Sequence, residues 1–172
     1  MAVIIPAISR SDPDYYNLLV ANYIFGGSGF GSWLMEEIRQ KRGLSYSVYS
    51  YLSTYQNSGY LRITLQTKNE SINLAKNIIR EQIDKLSKFD VEDTKITTTK
   101  NAILRGFEMR ADTNRKILNL ISSINYLNLD LNYFENYKNN LKQVNKDSIK
   151  AALNRAMDFD NVSVFTVGKS IE

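Results

Sequence analysis

The sequence has neither histidine nor cysteine among its 172 residues. Without cysteine it forms no disulfide and offers no thiolate metal ligand. Without histidine, a zinc ion would have to be held by carboxylates alone, which is unusual for this metal. Ser-His-Asp and Cys-His catalytic centres are excluded for the same reason. We therefore predict that this chain holds neither a catalytic metal nor a catalytic imidazole, and we assign no catalytic residue to it.

Long apolar runs and strong charge clusters are missing as well. No apolar run approaches the roughly 20 residues of a transmembrane helix, so no membrane span is predicted. Residues 1–8 lack a basic segment and a cleavage site, so they are not predicted to be a signal peptide. The net charge is +4, with basic and acidic residues interspersed, so no nucleic-acid partner is predicted. A hydrophobic content of 43% favours one globular domain over residues 1–172.

The first part of the chain predicts one strand and two helices. Residues 3–8 are apolar and β-branched, which favours a strand, and Pro6 indicates that this strand is an edge strand or contains a bulge. A helix is predicted over residues 15–25. A second helix is expected to begin after Ser32 and to end before Gly43, where cationic residues precede a glycine.

The remainder predicts a hairpin, several helices and a final strand. Residues 45–55 and 60–67 alternate in the manner of strands, and turn-forming residues lie between them. From residue 71 to about residue 157 the apolar period is helical, and residues 162–168 read as a buried strand that returns to the same sheet. The expected fold class is α+β, with a small, mostly antiparallel sheet covered by helices on one side.

The stretch FGGSGFGS at residues 25–32 looks at first like a phosphate-binding loop. Gly26 and Gly31 have the spacing of a P-loop, but Ser32 and Trp33 stand where lysine and serine or threonine are required. A dinucleotide fingerprint fails too, because Ser32 replaces its last glycine, and both motifs follow a strand rather than a helix. We predict a glycine-rich connection that allows close packing and positive φ angles, and no nucleotide site.

Three segments resemble the C-terminal domain of the insulinase/pitrilysin family of zinc peptidases, the inverzincins, which include bacterial and mitochondrial processing peptidases. They are DPDYYNLLVANYIFGG (residues 12–27), LMEEIRQKRGLSYSVYS (residues 34–50) and VSVFTVG (residues 162–168), and together they span nearly the whole chain. In that family two similarly folded half-domains close around a chamber that takes in peptides. The resemblance implies that this chain is the C-terminal, non-zinc half of a longer peptidase, or of a catalytically silent partner subunit.

The resemblance also implies where the metal and the substrate lie. In the family the N-terminal domain carries the zinc motif H-x-x-E-H, so zinc and its domain are expected in the same protein or on a partner subunit. The C-terminal domain supplies an arginine and a tyrosine that reach the peptide substrate, and Arg39 and Tyr46 match this pair at its spacing of seven residues. Bacterial relatives occur in the periplasm and in the cytoplasm, so the compartment stays open.

Arg39 and Tyr46 also have a physical reason to act as substrate-binding residues. A cation and a phenol aimed at a peptide carbonyl stabilise the negative charge that develops there during hydrolysis, and one such donor is worth roughly 3–4 kcal/mol. The structural alternative is that Arg39 complements the helix dipole or pairs with Glu36, and that Tyr46 is an ordinary strand tyrosine. Arg42 competes for the role of Arg39, but it matches a position that varies in the family.

The sequence leaves two alternatives to the function of a substrate-binding domain. One is a non-catalytic structural or assembly subunit with the same fold. The other lies outside the family: a basic α+β module that binds RNA, which would require an affinity that falls steeply with salt.

Overall fold

A four-stranded antiparallel sheet forms one layer of the fold. The structure is a computed structural model that describes residues 1–130 and 132–169. The spatial order of the strands is β2-β3-β1-β4. Their bounds are β1 Ala2–Ala7, β2 Val48–Thr54, β3 Gly59–Leu65 and β4 Ser163–Phe165.

Helices supply the rest of the fold, so the predicted α+β class is confirmed. Alternate residues of the inner strands, such as Val3, Ile5 and Ile63, are buried on the face that the helices cover. Within the described ranges, no helix combines the length and the apolar character needed to cross a membrane. The helices are α1 Tyr15–Asn22, α2 Ile72–Lys88, α3 Asp93–Glu108, α4 Asn114–Tyr126, α5 Tyr133–Gln143 and α6 Lys146–Ala156, with π-helical segments at Tyr23–Gly27 and Met35–Gln40 and 3-10 turns at Asn69–Ser71 and Met109–Ala111.

The predicted hairpin is confirmed as β2 and β3. The two strands pair from Val48 opposite Leu65 to Thr54 opposite Gly59, with the turn between them at residues 55–58. Local alternation and turn chemistry were sufficient to place this unit.

The position of β1 differs from the prediction. Pro6 indicated an edge strand or a bulge, but β1 is an inner strand that pairs with both β3 and β4. β4 begins at Ser163, opposite Ile4, so among the described residues no strand lies beside Pro6 on this side of β1. The Pro6 carbonyl faces this open side, where it accepts a hydrogen bond from the Asp158 N–H at 3.2 Å. Because the nitrogen and the carbonyl of a strand residue point to the same side, the missing N–H of Pro6 costs no ladder hydrogen bond.

The last strand is shorter and more exposed than predicted. Residues 162–168 read as a buried strand, but β4 contains only Ser163–Phe165, and Val164 and Phe165 are 49% and 55% exposed. The strand does return to the predicted sheet, with Phe165 opposite Ala2. Since β4 lies at the edge of the sheet, its apolar side chains do not join the core.

Gly26 marks a close approach of the first π-helical segment to β2. The residue is buried, and a Cβ atom placed on it would lie 2.5 Å from the Ser50 Oγ atom and 2.7 Å from the Leu34 Cδ1 atom. The Ser50 hydroxyl donates to the Asn22 Oδ1 atom at 2.7 Å, which ties β2 to the end of α1. The close packing predicted for the glycine-rich stretch is therefore present at this position.

Replacing Gly26 with alanine tests this packing. We expect Gly26→Ala to lower the free energy of unfolding by about 1–3 kcal/mol, because the added methyl group forces Ser50 and Leu34 apart. The measurement is urea unfolding followed by circular dichroism.

Gly106 provides the matched control. It lies inside α3, and no described side chain lies within 4 Å of the position that an added Cβ atom would take. Gly106→Ala is therefore expected to raise the free energy of unfolding by up to about 1 kcal/mol. A Gly26→Ala variant as stable as Gly106→Ala would contradict the packing argument.

Candidate functional site

Arg39 and Tyr46 lie in contact. Arg39 belongs to the π-helical segment Met35–Gln40, and its Cζ atom is 4.5 Å from the centroid of the Tyr46 ring. Tyr46 is 83% exposed and Arg39 is half-buried. The structure therefore brings together the two residues that the sequence singled out, in a cation–π contact at the surface.

Phe30 joins this pair. The Arg39 Cζ atom lies 4.6 Å from the centroid of the Phe30 ring, which is 69% exposed. We call Phe30, Arg39 and Tyr46 the aromatic–arginine cluster. Phe30 was not predicted from the sequence, because residues 25–32 read only as a glycine-rich connection. The available signal was an aromatic residue flanked by Gly29 and Gly31, whose φ angles of 69° and 88° favour glycine.

Hydrogen bonds on both sides of Phe30 fix the loop that carries it. The buried Ser32 hydroxyl donates to the Gly29 carbonyl at 2.7 Å and accepts from the Met35 N–H at 3.4 Å, so Ser32 is the predicted cap of the second helix. The Lys95 ammonium on α3 donates to the carbonyl of the residue that follows Phe30, at 3.3 Å. The exposed ring thus projects from a backbone that is held in place.

The end of the second helix sets the distance from Arg39 to Tyr46. Met35–Gln40 is wound as a π-helix, a rare form that often occurs at functional sites. The chain reverses at Gly43, which has a φ of 61° and whose N–H donates to the Arg39 carbonyl at 3.0 Å. This reversal brings Tyr46 back to the side chain of Arg39.

The backbone beside Tyr46 is anchored to the end of β3. The Ser45 side chain is buried, and its Oγ atom lies 2.6 Å from the Gln66 carbonyl oxygen. The Thr67 hydroxyl donates to the Leu44 carbonyl at 2.6 Å. Tyr46 therefore extends into solvent from a fixed segment.

Arg39 has no carboxylate partner among the described residues. Glu36 pairs with Lys41 at 3.0 Å, and Glu37 pairs with Lys41 at 2.6 Å and also with Arg42. The predicted alternative in which Arg39 pairs with Glu36 is therefore wrong. The competing Arg42 is occupied by Glu37. The charge of Arg39 stays available to an external acceptor.

This chain does not fit a zinc ion. Within residues 1–130 and 132–169 no group of three or more His, Cys, Asp or Glu side chains is placed to hold a metal. The complete sequence has no histidine and no cysteine. The described residues therefore provide none of the ligand sets that zinc usually takes in proteins.

Comparison with known proteins gives a family match over residues 1–103, to the family described as peptidase M16 inactive domain. The chain is 37% identical over 142 residues to the non-peptidase homolog YmxG of Helicobacter pylori, an alignment that covers 77% of this chain and 31% of that protein. It is 34% identical over 85 residues to the uncharacterized zinc protease YmxG of Bacillus subtilis, covering 49% of this chain and 20% of that protein. The chain thus spans less than a third of the length of these curated relatives.

Solved structures show the same fold. The peptidase M16 inactive domain from Pseudomonas fluorescens superimposes with a TM-score of 0.83 at 28% identity, covering 94% of this chain and 38% of that chain. The inactive peptidase domain of a putative zinc protease from Bordetella parapertussis has a TM-score of 0.77 and covers 94% of this chain and 88% of that one. At 12% identity, the second likeness shows the fold alone.

The titration of Glu37 tests the charge arrangement around Arg39. Hydrogen bonds from Lys41 and then Arg42 lower the pKa of Glu37 below its ordinary value of 4.5. The stability that this carboxylate contributes is therefore complete above pH 4.5 and is lost as the pH falls through the folded-state pKa. We expect a carboxyl NMR titration of Glu37 with a midpoint below 4.5.

Two variants make this titration specific. Lys41→Ala removes the first hydrogen-bond partner of Glu37 and is expected to raise the midpoint. Arg39→Ala is the control and is expected to leave the midpoint unchanged, because Arg39 does not pair with Glu37. If Arg39→Ala moved the midpoint as far as Lys41→Ala does, Arg39 would not be the available cation.

Proposed function

Because the chain belongs to the peptidase M16 family as its inactive domain, we propose that it binds the peptide substrate of a zinc metalloendopeptidase. The zinc would lie on an N-terminal domain of the same protein or on a partner subunit. The observation that carries this proposal is the exposed contact between Arg39 and Tyr46, in which the arginine has no carboxylate partner among the described residues.

The chemistry of the aromatic–arginine cluster suits a peptide carbonyl. The guanidinium of Arg39 and the hydroxyl of Tyr46 are hydrogen-bond donors, and both belong to side chains at the surface. Peptide hydrolysis places negative charge on the carbonyl oxygen, and fixed donors stabilise that charge. Contact with the rings of Phe30 and Tyr46 restricts the guanidinium while its edge remains able to donate.

The neighbouring strand supports binding of an extended peptide. β2 is an edge strand of the sheet and begins at Val48, two residues after Tyr46. Peptides commonly bind to such an edge as an added strand, through main-chain hydrogen bonds. A peptide added along β2 would run past Tyr46 and bring a carbonyl group to Arg39.

The zinc half is proposed to be a separate domain because this chain does not fit the metal. Relatives are long enough to contain such a domain, since the chain covers only 31% of the Helicobacter pylori protein and 38% of the Pseudomonas fluorescens chain. Peptide would then bind between the two halves, with the aromatic–arginine cluster facing the metal-bearing domain.

A second candidate function is a non-catalytic subunit with the same fold. It is favoured by the name of the Helicobacter pylori relative, a non-peptidase homolog. In that case the aromatic–arginine cluster would hold or assemble a partner without cleaving it.

Substitutions in the assembled parent protein test the substrate-binding role. We expect Arg39→Ala and Tyr46→Phe each to lower kcat/KM for a fluorogenic peptide by about 100-fold, because each removes a donor from the developing oxyanion. Arg42→Ala is the matched control and is expected to leave kcat/KM unchanged, since Arg42 is held by Glu37. Full activity of Arg39→Ala would refute the proposal.

The native gene product separates the two candidate functions. We expect a longer protein with H-x-x-E-H in its N-terminal half, one bound zinc per site and peptidase activity that chelators abolish. The measurements are the intact mass, the sequence and the zinc content of the purified protein. A long product that lacks this motif, and that has no zinc-bearing partner, would instead support the non-catalytic subunit.

A further inference from the structure

Arg10 is a buried cation away from the aromatic–arginine cluster. The residue is 6% exposed, and its Cζ atom lies 3.5 Å from the centroid of the Tyr15 ring. One of its nitrogens donates to the Tyr133 hydroxyl at 3.0 Å. Within residues 1–130 and 132–169 no carboxylate pairs with Arg10. The rings of Tyr15, Tyr16 and Tyr133 surround the guanidinium, but they carry no negative charge, so a bound anion would give this buried cation the charged partner it lacks.

The Arg10 side chain remains charged in this environment. Burial alone would lower the pKa of Arg10, but the neighbouring Tyr15, Tyr133 and Tyr16 together more than offset this effect. The pKa of Arg10 therefore lies above its ordinary value, and the guanidinium is a permanent cation.

Arg10 lines a cavity of about 530 Å³ between the start of α1, α5 and the start of α6. This volume falls in the range of sites for small ligands, roughly 300–1,000 Å³. Three carboxamides, Asn136, Asn140 and Gln143, line the cavity from one face of α5. Their side chains form no hydrogen bond with any described residue. A carboxamide has the same donor and acceptor as a peptide group, so this row matches a ligand with amide bonds.

The acidic residues at this cavity limit the charge of a ligand. Asp12 is already paired with Arg155, but Asp130 is exposed and has no cationic partner among the described residues. Asp130 repels any anion that enters, and it repels a dianion such as phosphate about twice as strongly as a monoanion. A carboxylate carries the single negative charge that one arginine neutralises, and it accepts two hydrogen bonds from a guanidinium.

We propose that this cavity binds the C-terminal carboxylate of a peptide. Arg10 pairs with the carboxylate, and Asn136, Asn140 and Gln143 hydrogen-bond to the adjacent peptide groups. The cavity shares no residue with the aromatic–arginine cluster. All the residues proposed to bind the ligand belong to this chain, so we expect binding in the absence of zinc.

Calorimetric titration of the 172-residue chain with tri-alanine tests the site. The matched ligand is tri-alanine amide, which differs only in lacking the carboxylate. We expect tri-alanine to bind at least about tenfold more tightly than the amide, because a charge-assisted pair with Arg10 is lost. Arg10→Gln is expected to abolish this preference. Equal binding of the two peptides, or no binding of either, would overturn the proposal.

A second variant avoids the risk that a change at the buried Arg10 prevents folding. Asn140→Leu alters an exposed wall of the cavity and is expected to weaken tri-alanine binding by about fivefold. Asn139→Leu is the control on the adjacent face of α5, outside the cavity, and is expected to leave the affinity unchanged. Equal effects of the two changes would also overturn the proposal.

Comparing the affinity of tri-alanine with that of a longer peptide that ends in the same three alanines shows whether the ligand is a short free peptide or the end of a long one. If it binds as tightly as tri-alanine, the cavity takes the ends of long peptides. If it binds much more weakly, the cavity takes short free peptides. Both results support a carboxylate site, provided that amidation weakens the ligand that binds.

Discussion

The close approach of a helix to a strand at Gly26 is the contact on which the arrangement of the candidate site depends. A side chain at this position would collide with the backbone nitrogen of Ser50, 2.8 Å away. Its absence allows the first helical segment to end directly against β2. From there the glycine-rich loop runs outward, presents Phe30 and returns at Ser32 to start the helix that carries Arg39. Packing in the core thus determines where the surface cation lies.

Strands and turns that depend on a few adjacent residues could be predicted from the sequence, but the order of the strands in the sheet could not. The hairpin followed from alternation and turn residues, both of which act over a few positions. Pro6 correctly indicated that β1 lacks a hydrogen-bond donor on one side. The strand is nevertheless an inner strand, because β4, which is distant in sequence, pairs with residues 2–4. The apolar composition of residues 162–168 predicted a buried strand. Burial of a strand depends on the elements that pack beside it, and β4 lies at the edge of the sheet.

For the candidate site too, some residues could be predicted from the sequence, but the contacts between them could not. Arg39 and Tyr46 were recognisable from their spacing and from the family pattern, whereas their contact depends on π-helical winding and on the turn at Gly43. Phe30 escaped notice because its exposure arises from backbone angles at the flanking glycines. Arg10 gave no signal at all. An arginine before a helix usually lies in solvent, and this one is buried by Tyr133, 123 positions along the chain.

The order of the strands has a consequence for folding during synthesis. Of these four strands β1 is synthesised first, and its partner β3 follows within about 60 residues, which takes only seconds at typical translation rates. Its other neighbour, β4, is the last of the four strands to be synthesised, and Ala2 pairs with Phe165. One side of β1 therefore stays open until α1 to α6 have been synthesised. Closure of the sheet is a late step with a high contact order, and until it occurs the nascent chain offers a free strand edge to chaperones or to other chains.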